Sequence, residues 1–146
     1  MTGPERPAVL FVCVKNGGKS QIAAALLRHH AGDTIQVFSA GTRPGGHLNE
    51  QSRLVVEEVG ATMAGEQPKL LDPTLAAGVD RIVVLGAQAV VEPPEGMHGT
   101  IETWITDEPS LRGIDGLERM RLVRDDIDHR VRTLAAELTA TADTAG

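Results

Sequence analysis

The sequence predicts an α/β fold: one three-layer α/β/α domain with a four-stranded parallel sheet between layers of helix. The continuous apolar run Ala8–Val12 lacks the alternation of a half-exposed strand and reads as a strand buried on both faces, and Val79–Leu85 reads as another buried strand. Helical patterns separate the strands, so the strands run parallel with right-handed crossovers. The clearest helical pattern is the last, where Leu117, Met120, Val123, Ile127, Val131, Leu134 and Leu138 recur at steps of three and four. A chain of 146 residues builds such a core without a second domain. Residues 8–138 are expected to form the domain, with 1–7 and 139–146 as flexible termini.

Taken in order, prolines and a glycine make residues 1–7 a loose lead-in to the first strand. A helix then runs from Gly18 to about His30, with Ile22, Ala23, Leu26 and Leu27 facing inward and Gly32 beyond its end. Ile35–Phe38 is a second strand that passes into the small-residue turn Ser39-Ala40-Gly41-Thr42. Asn49 is placed to cap a second helix, which turns Leu48, Ser52, Val55 and Val59 to one side and stops at Gly60. Residues 61–69 form a polar connector, and Asp72–Ala77 is a short helix with Pro73 in its first turn. After the strand Val79–Leu85 comes a loop over 87–99, and the half-polar strand Thr100–Ile105 suits a sheet edge. Residues 107–116 are loop again. On the outer face of the last helix, Arg121 with Asp125, Arg124 with Asp128, and Asp126 with Arg130 stand at i, i+4 spacing.

Composition narrows the function. Net charge is −6, and no basic cluster is interleaved with aromatics, so a nucleic-acid partner is not expected. No segment has the apolar length of a membrane span and no N-terminal stretch has a signal-peptide pattern. One cysteine cannot form an internal disulfide, and the chain reads as cytoplasmic. The five histidines show no zinc-site spacing with cysteine, so neither a metal nor a bound cofactor is predicted.

The single cysteine carries the chemistry. Cys13 closes the first strand and opens Cys13-Val14-Lys15-Asn16-Gly17-Gly18-Lys19-Ser20, which leads directly into a helix. Such a loop turns backbone N–H groups and the positive end of a helix dipole toward one point, where an oxyanion is stabilised. The same field favours a thiolate over a thiol. Two other readings compete. Gly18-Lys19-Ser20 ends like a nucleotide P-loop, but G-x-x-x-x-G-K-[ST] requires glycine where Cys13 stands. A buried, inert cysteine is the other. In either open-sheet reading, ligands bind outside the carboxyl ends of the strands, where Cys13, Ser39–Thr42 and the loop Ile105–Pro109 fall.

Cys13 to Ser20, the turn Ser39-Ala40-Gly41-Thr42 and the acid-proline pair Glu108-Pro109 together resemble the low-molecular-weight tyrosine phosphatase fold family, and its arsenate reductase branch in particular. The run Cys13–Gln21, with Glu118-Arg119-Met120-Arg121 and Ile127-Asp128-His129-Arg130-Val131, is similar to the arsenate-mycothiol transferases of actinobacteria. The resemblance implies that arsenate and the thiol mycothiol are substrates, and that a separate mycoredoxin releases arsenite. It implies Cys13 as nucleophile, Lys19 in the place of the family's C-x5-R-S arginine, and Ser20 as stabiliser of the thiolate. Val14, Lys15, Asn16, Gly17 and Gly18 become the substrate cradle, with Asn16 bracing the loop. Glu108 becomes the general acid, with Asp107 as its substitute. Arg43, Lys15 and Arg112 are candidates to engage the carboxylate or sugars of mycothiol.

The chain departs from the phosphatase pattern in ways that have consequences. A lysine keeps the charge of the arginine but cannot fork onto two oxygens. No aromatic follows Glu108-Pro109 to stack on a phosphotyrosine ring. With no second cysteine, nothing in these residues could displace an arsenic adduct on Cys13, so the reductant must be an external thiol. Phosphatase action on a protein or small phosphoester, and a non-catalytic oxyanion-binding module, are the alternatives.

Overall fold

The computed structural model describes residues 6–145, with side chains described as far as Ala140. Its elements are β1 (Ala8–Cys13), α1 (Lys19–Ala31), β2 (Gln36–Gly41), α2 (Glu50–Glu58), α3 (Pro73–Gly78), β3 (Arg81–Leu85), β4 (Thr100–Trp104) and α4 (Gly116–Ala145), with short 3-10 turns at Gly32–Thr34 and Pro109–Arg112. All pairings are parallel, in the order β2-β1-β3-β4, which makes a four-stranded sheet with the half-polar β4 at one edge.

Strand alternation divides the core into two layers. Val9 and Phe11 face α1, α2 and α4, together with Ile22, Leu26, Val55, Val123, Ile127 and Val131. Leu10 and Val12 face the opposite side, with Ile82, Val84 and Ala76 of α3. Burying each large side chain of this kind contributes roughly 1.5–3 kcal/mol. Phe11 also meets Trp104 at 5.8 Å between ring centres, tilted by 57°, which ties a central strand to the edge strand.

Long-range contacts move several boundaries. β2 continues through Ser39 and Ala40 to Gly41, where a turn is expected, because Cys13 pairs with Gly41 and the whole segment stays in register with β1. α1 is buried from Ser20 to Leu27, not on one face only, since α2 and α4 cover the side that the sheet leaves open. In α2 the buried pair is Val55 and Val56, while Val59 is 42% exposed beyond the helix end. Asn49 and Asp72 cap their helices as expected, accepting from the N–H groups of Ser52 and Thr74.

α4 runs on through Thr139 and Ala140 to Ala145, where a tail is expected. Alanines sustain a helix, and the Thr139 hydroxyl donates back to the Ala135 carbonyl at 2.8 Å. At the other end, residues 1–5 of the predicted lead-in lie outside the described residues. Arg6 and Pro7 are tied to the body, Arg6 donating to the Asp33 carbonyl at 3.1 Å and Pro7 accepting from Gln36 at 2.8 Å. On α4 only Asp126–Arg130 of the expected pairs forms, at 3.2 Å. Arg121 and Arg124 reach across to Glu58 of α2 instead, at 2.7 and 2.8 Å, and His30 of α1 takes Asp128 at 2.6 Å.

Candidate active site

The loop between β1 and α1 owes its shape to the segment that follows β2. Thr42 N–H donates to the Cys13 carbonyl at 3.1 Å, Arg43 to Val14 at 2.8 Å, Gly45 to Lys15 at 2.9 Å and Asn49 to Gly17 at 2.7 Å. A trans peptide sets its N–H opposite its C=O, so drawing these carbonyls to one side turns the loop's N–H groups toward the other. Both glycines at the crossing allow close approach, and at Gly41 a side chain could not be added without a shift of the backbone. A Cβ on Gly41 would stand 2.7 Å from the Val14 carbonyl, and one on Gly17 would stand 3.0 Å from that of His47. No side chain caps α1, so the N–H groups of its first turn are left without a side-chain partner.

Asn16 braces the loop from inside. Its φ is +54°, the one positive φ outside glycine among the described residues, a conformation that asparagine tolerates better than most. The side chain is fully buried. Its Oδ1 accepts from the N–H of Lys69 at 3.0 Å and from Gln21 at 3.3 Å, while its Nδ2 donates to Ser20 Oγ at 2.7 Å. Ser20 Oγ lies 2.9 Å from Cys13 Sγ. Because Ser20 already accepts from Asn16, its own proton is free to point at the sulfur. That is a relay of donors ending on the thiol.

Cys13 opens onto a cleft of about 520 Å³ whose polar walls are Lys19, Gln88, Thr106, Glu108 and Arg119, with Val14, Leu85 and Ile105 as its apolar lining. No Phe, Tyr or Trp lines it. Lys19 pairs closely with one oxygen of Glu108, and Arg119 approaches the other at 3.7 Å. The two adjacent acids differ. Asp107 is forked by Arg112 at 2.8 and 3.0 Å, and that hydrogen bond holds its carboxyl below the ordinary carboxylate range. Asp107 is thus kept as an anion outside the cleft lining, whereas Glu108 lines it.

The remaining expected residues lie nearby in different roles. Val14 lines the cleft, and Lys15, Gly17 and Gly18 line a neighbouring hollow of about 480 Å³ that shares Lys19 and Arg119. Arg43 has an exposed side chain and meets the loop through its backbone N–H. Arg112 is occupied by Asp107. Three contributors carry no role in the sequence reading: Gln21 and Lys69, which hold Asn16, and Arg119. For Arg119 a signal exists, since the first turn of α4 follows directly on the loop that carries Glu108. Among the described residues no group of three or more His, Cys, Asp or Glu is placed to hold a metal ion, and no helix is long and apolar enough to cross a membrane.

Residues 8–143 match the family described as low molecular weight phosphotyrosine protein phosphatase. The chain belongs to this family. Among similar members, a putative arsenate reductase of Halobacterium salinarum is 28% identical over 134 residues, 87% of this chain and 89% of that protein. The arsenate reductase of Bacillus subtilis is 27% identical, over 90% of this chain and 96% of its own. A solved Corynebacterium glutamicum thioredoxin-dependent arsenate reductase superposes with TM-score 0.78 at 30% identity, covering 96% of this chain and 65% of that longer one. An arsenate reductase in a phosphate-binding state superposes equally well, with TM-score 0.78 at 27% identity over 90% of this chain and 98% of its own. In this chain a lysine, Lys19, precedes Ser20, and no aromatic side chain lines the cleft.

Proposed function

We propose that this protein is an arsenate reductase of the thiol-transferase type, an arsenate-mycothiol transferase acting in the reducing cytoplasm. The observation that carries the reading is Cys13: the sole cysteine, 2.9 Å from Ser20 Oγ, in a cleft with two cations and an acid but no ring to hold an aryl ester. Similarity to proteins described as arsenate reductases supports the substrate.

Arsenate seats on the amides of Val14–Gly18 and on Lys19, and Ser20 holds Cys13 as the nucleophile. The sulfur attacks arsenic, an As–S bond forms, and one As–O bond breaks. That oxygen takes a proton from Glu108 and leaves as water, a transfer of the kind worth about 10²–10⁴ in rate. Mycothiol then attacks the arsenic, which moves to its sulfur and frees Cys13. Arsenic is still pentavalent at this point. A thiol of mycoredoxin next attacks the mycothiol sulfur; an S–S bond forms, the As–S electron pair passes to arsenic, and arsenite is released. Two thiols are oxidised and arsenic is reduced by two electrons.

The test is NADPH consumption with protein, arsenate, mycothiol, mycoredoxin and a disulfide reductase. The expected result is turnover that requires mycothiol and disappears in Cys13→Ser. Turnover supported by thioredoxin alone would overturn the choice of thiol. Rapid hydrolysis of an aryl phosphate, with arsenate only inhibiting, would overturn the reaction itself. Intact mass after mixing with arsenate separates attack by Cys13, which leaves an arsenic adduct, from direct attack by mycothiol, which leaves none.

A further inference from the structure

We propose that Arg119 is a substrate-binding residue, the second cation of the oxyanion site, and that it supplies the planar fork which Lys19 cannot. The inference rests on the proposed reaction only for the identity of the oxyanion. Its structural support is independent of that.

Among the described residues, buried side-chain polar atoms without a hydrogen-bond partner are Gln21 Oε1, Thr106 Oγ1 and Arg119 Nε. Two of the three, Thr106 and Arg119, line the Cys13 cleft. Orphaned buried donors are rare because each gives up its hydrogen bonds to water without replacement. Finding two among the residues of one cleft points to an acceptor-rich ligand with oxygens on several sides. A tetrahedral oxyanion has that form.

Arg119 is also the sole guanidinium in the cleft lining. Its one charged neighbour there, Glu108 Oε2, is 3.7 Å away, beyond a hydrogen bond, and the other oxygen of Glu108 is taken by Lys19. The fork of Arg119 is therefore not closed on a carboxylate, unlike that of Arg112 on Asp107. It is carried by the first turn of α4, where its own N–H bonds the Asp115 carbonyl at 3.2 Å, so the guanidinium starts from a fixed base. Charge agrees as well. The cleft presents two cationic side chains, Lys19 and Arg119, to an incoming oxyanion. Arg119 would then orient the anion from the α4 side while the loop amides hold it from below, leaving one oxygen toward Glu108.

The experiment measures binding of inorganic phosphate, as a tetrahedral probe, through protection of Cys13 from alkylation by iodoacetamide. It compares wild type, Arg119→Lys, Arg119→Gln and Arg121→Gln, the last an arginine on the same helix that faces Glu58. Loss of a charge-assisted fork is expected to weaken phosphate protection by about tenfold in Arg119→Lys and more in Arg119→Gln, with Arg121→Gln like wild type. Protection is read against each variant's own unprotected alkylation rate, and the thermal midpoint of the Arg119 variants should stay at that of wild type, which loss of a merely structural arginine would lower. Phosphate protection in Arg119→Lys or Arg119→Gln equal to wild type would overturn the assignment. An absence of arsenate turnover in wild type, with phosphate protection still dependent on Arg119, would refute the proposed reaction and leave this inference standing.

Discussion

Glu58 and Glu108 each stand between two cations, and the two clusters are built to opposite ends. On the seam between α2 and α4, Glu58 receives Arg121 through Nε and an amino group at 2.7–3.1 Å and Arg124 at 2.8 Å, while Arg124 also donates to the Val55 carbonyl at 3.0 Å. That cluster is closed. At the carboxyl end of the sheet, Glu108 has Lys19 on one oxygen and Arg119 at 3.7 Å from the other, beside orphaned atoms of Arg119 and Thr106. Charges that satisfy each other hold helices together; charges left partly open at the mouth of a thiol loop are arranged for something that arrives with oxygens of its own.

The largest expected effect tests the open cluster through its nucleophile. Cys13→Ser should bring arsenate-dependent thiol oxidation to background while the circular dichroism spectrum is kept; activity retained in that variant would remove the thiol from the chemistry. Next come the neighbouring acids. Glu108→Gln should lower kcat by about 10²-fold or more, and Asp107→Asn, whose carboxylate is already engaged by Arg112, by no more than a few-fold. Reversal of those two results would move the proton donor to Asp107.

Smaller effects are expected from the relay behind the sulfur. Ser20→Ala removes the hydroxyl 2.9 Å from Cys13 Sγ and should slow alkylation of Cys13 at neutral pH by about tenfold, the worth of one hydrogen bond to a charged group. Asn16→Ala should add a loss of stability of about 2 kcal/mol, because it strands the Lys69 N–H and leaves alanine at a positive φ. A denaturation midpoint unchanged by Asn16→Ala would show that the brace is not needed.

The smallest effect belongs to the closed cluster, and there pH is the probe. The Arg121 hydrogen bond, with Arg124, holds the Glu58 carboxyl down to about 2. A carboxyl whose value falls on folding adds stability that is complete above the unfolded carboxylate value and is lost as pH drops toward the folded one. Wild type should therefore exceed Glu58→Gln in urea midpoint at neutral pH, and the gap should close between about pH 5 and pH 2. Salt should narrow it too, since the pair is exposed. A gap independent of pH would mean that the Arg121 contact does not stabilise the fold.

Legibility followed the range of the forces involved. Strands buried on both faces announce themselves by composition, as Ala8–Val12 does, and the α4 stripe from Leu117 to Leu138 announces itself by period. Cys13, Ser20 and Asn16 are readable because they sit within one short loop, where chain geometry alone brings them together. The strap from Thr42 to Asn49 is not readable, because each of its bonds to the loop carbonyls joins segments distant in sequence. The same holds for β2, whose last residues look like a turn until Gly41 pairs with Cys13. Arg119 stayed hidden for another reason: an arginine on an amphipathic helix looks solvated until the loop before it is folded back. Arg43 shows the converse, a loop cation near the site in sequence whose side chain is exposed and whose contribution is a backbone N–H.

One cysteine, acting with a thiol from outside the chain, carries the proposed reaction. Arsenite formed per external disulfide, measured with arsenate, mycothiol and mycoredoxin, tests that most directly. The prediction is one arsenite per disulfide, with none formed when mycothiol is omitted or when Cys13 is replaced by serine. Disulfide formation that proceeds unchanged in Cys13→Ser, or arsenate that only blocks phosphate-ester hydrolysis, would contradict it.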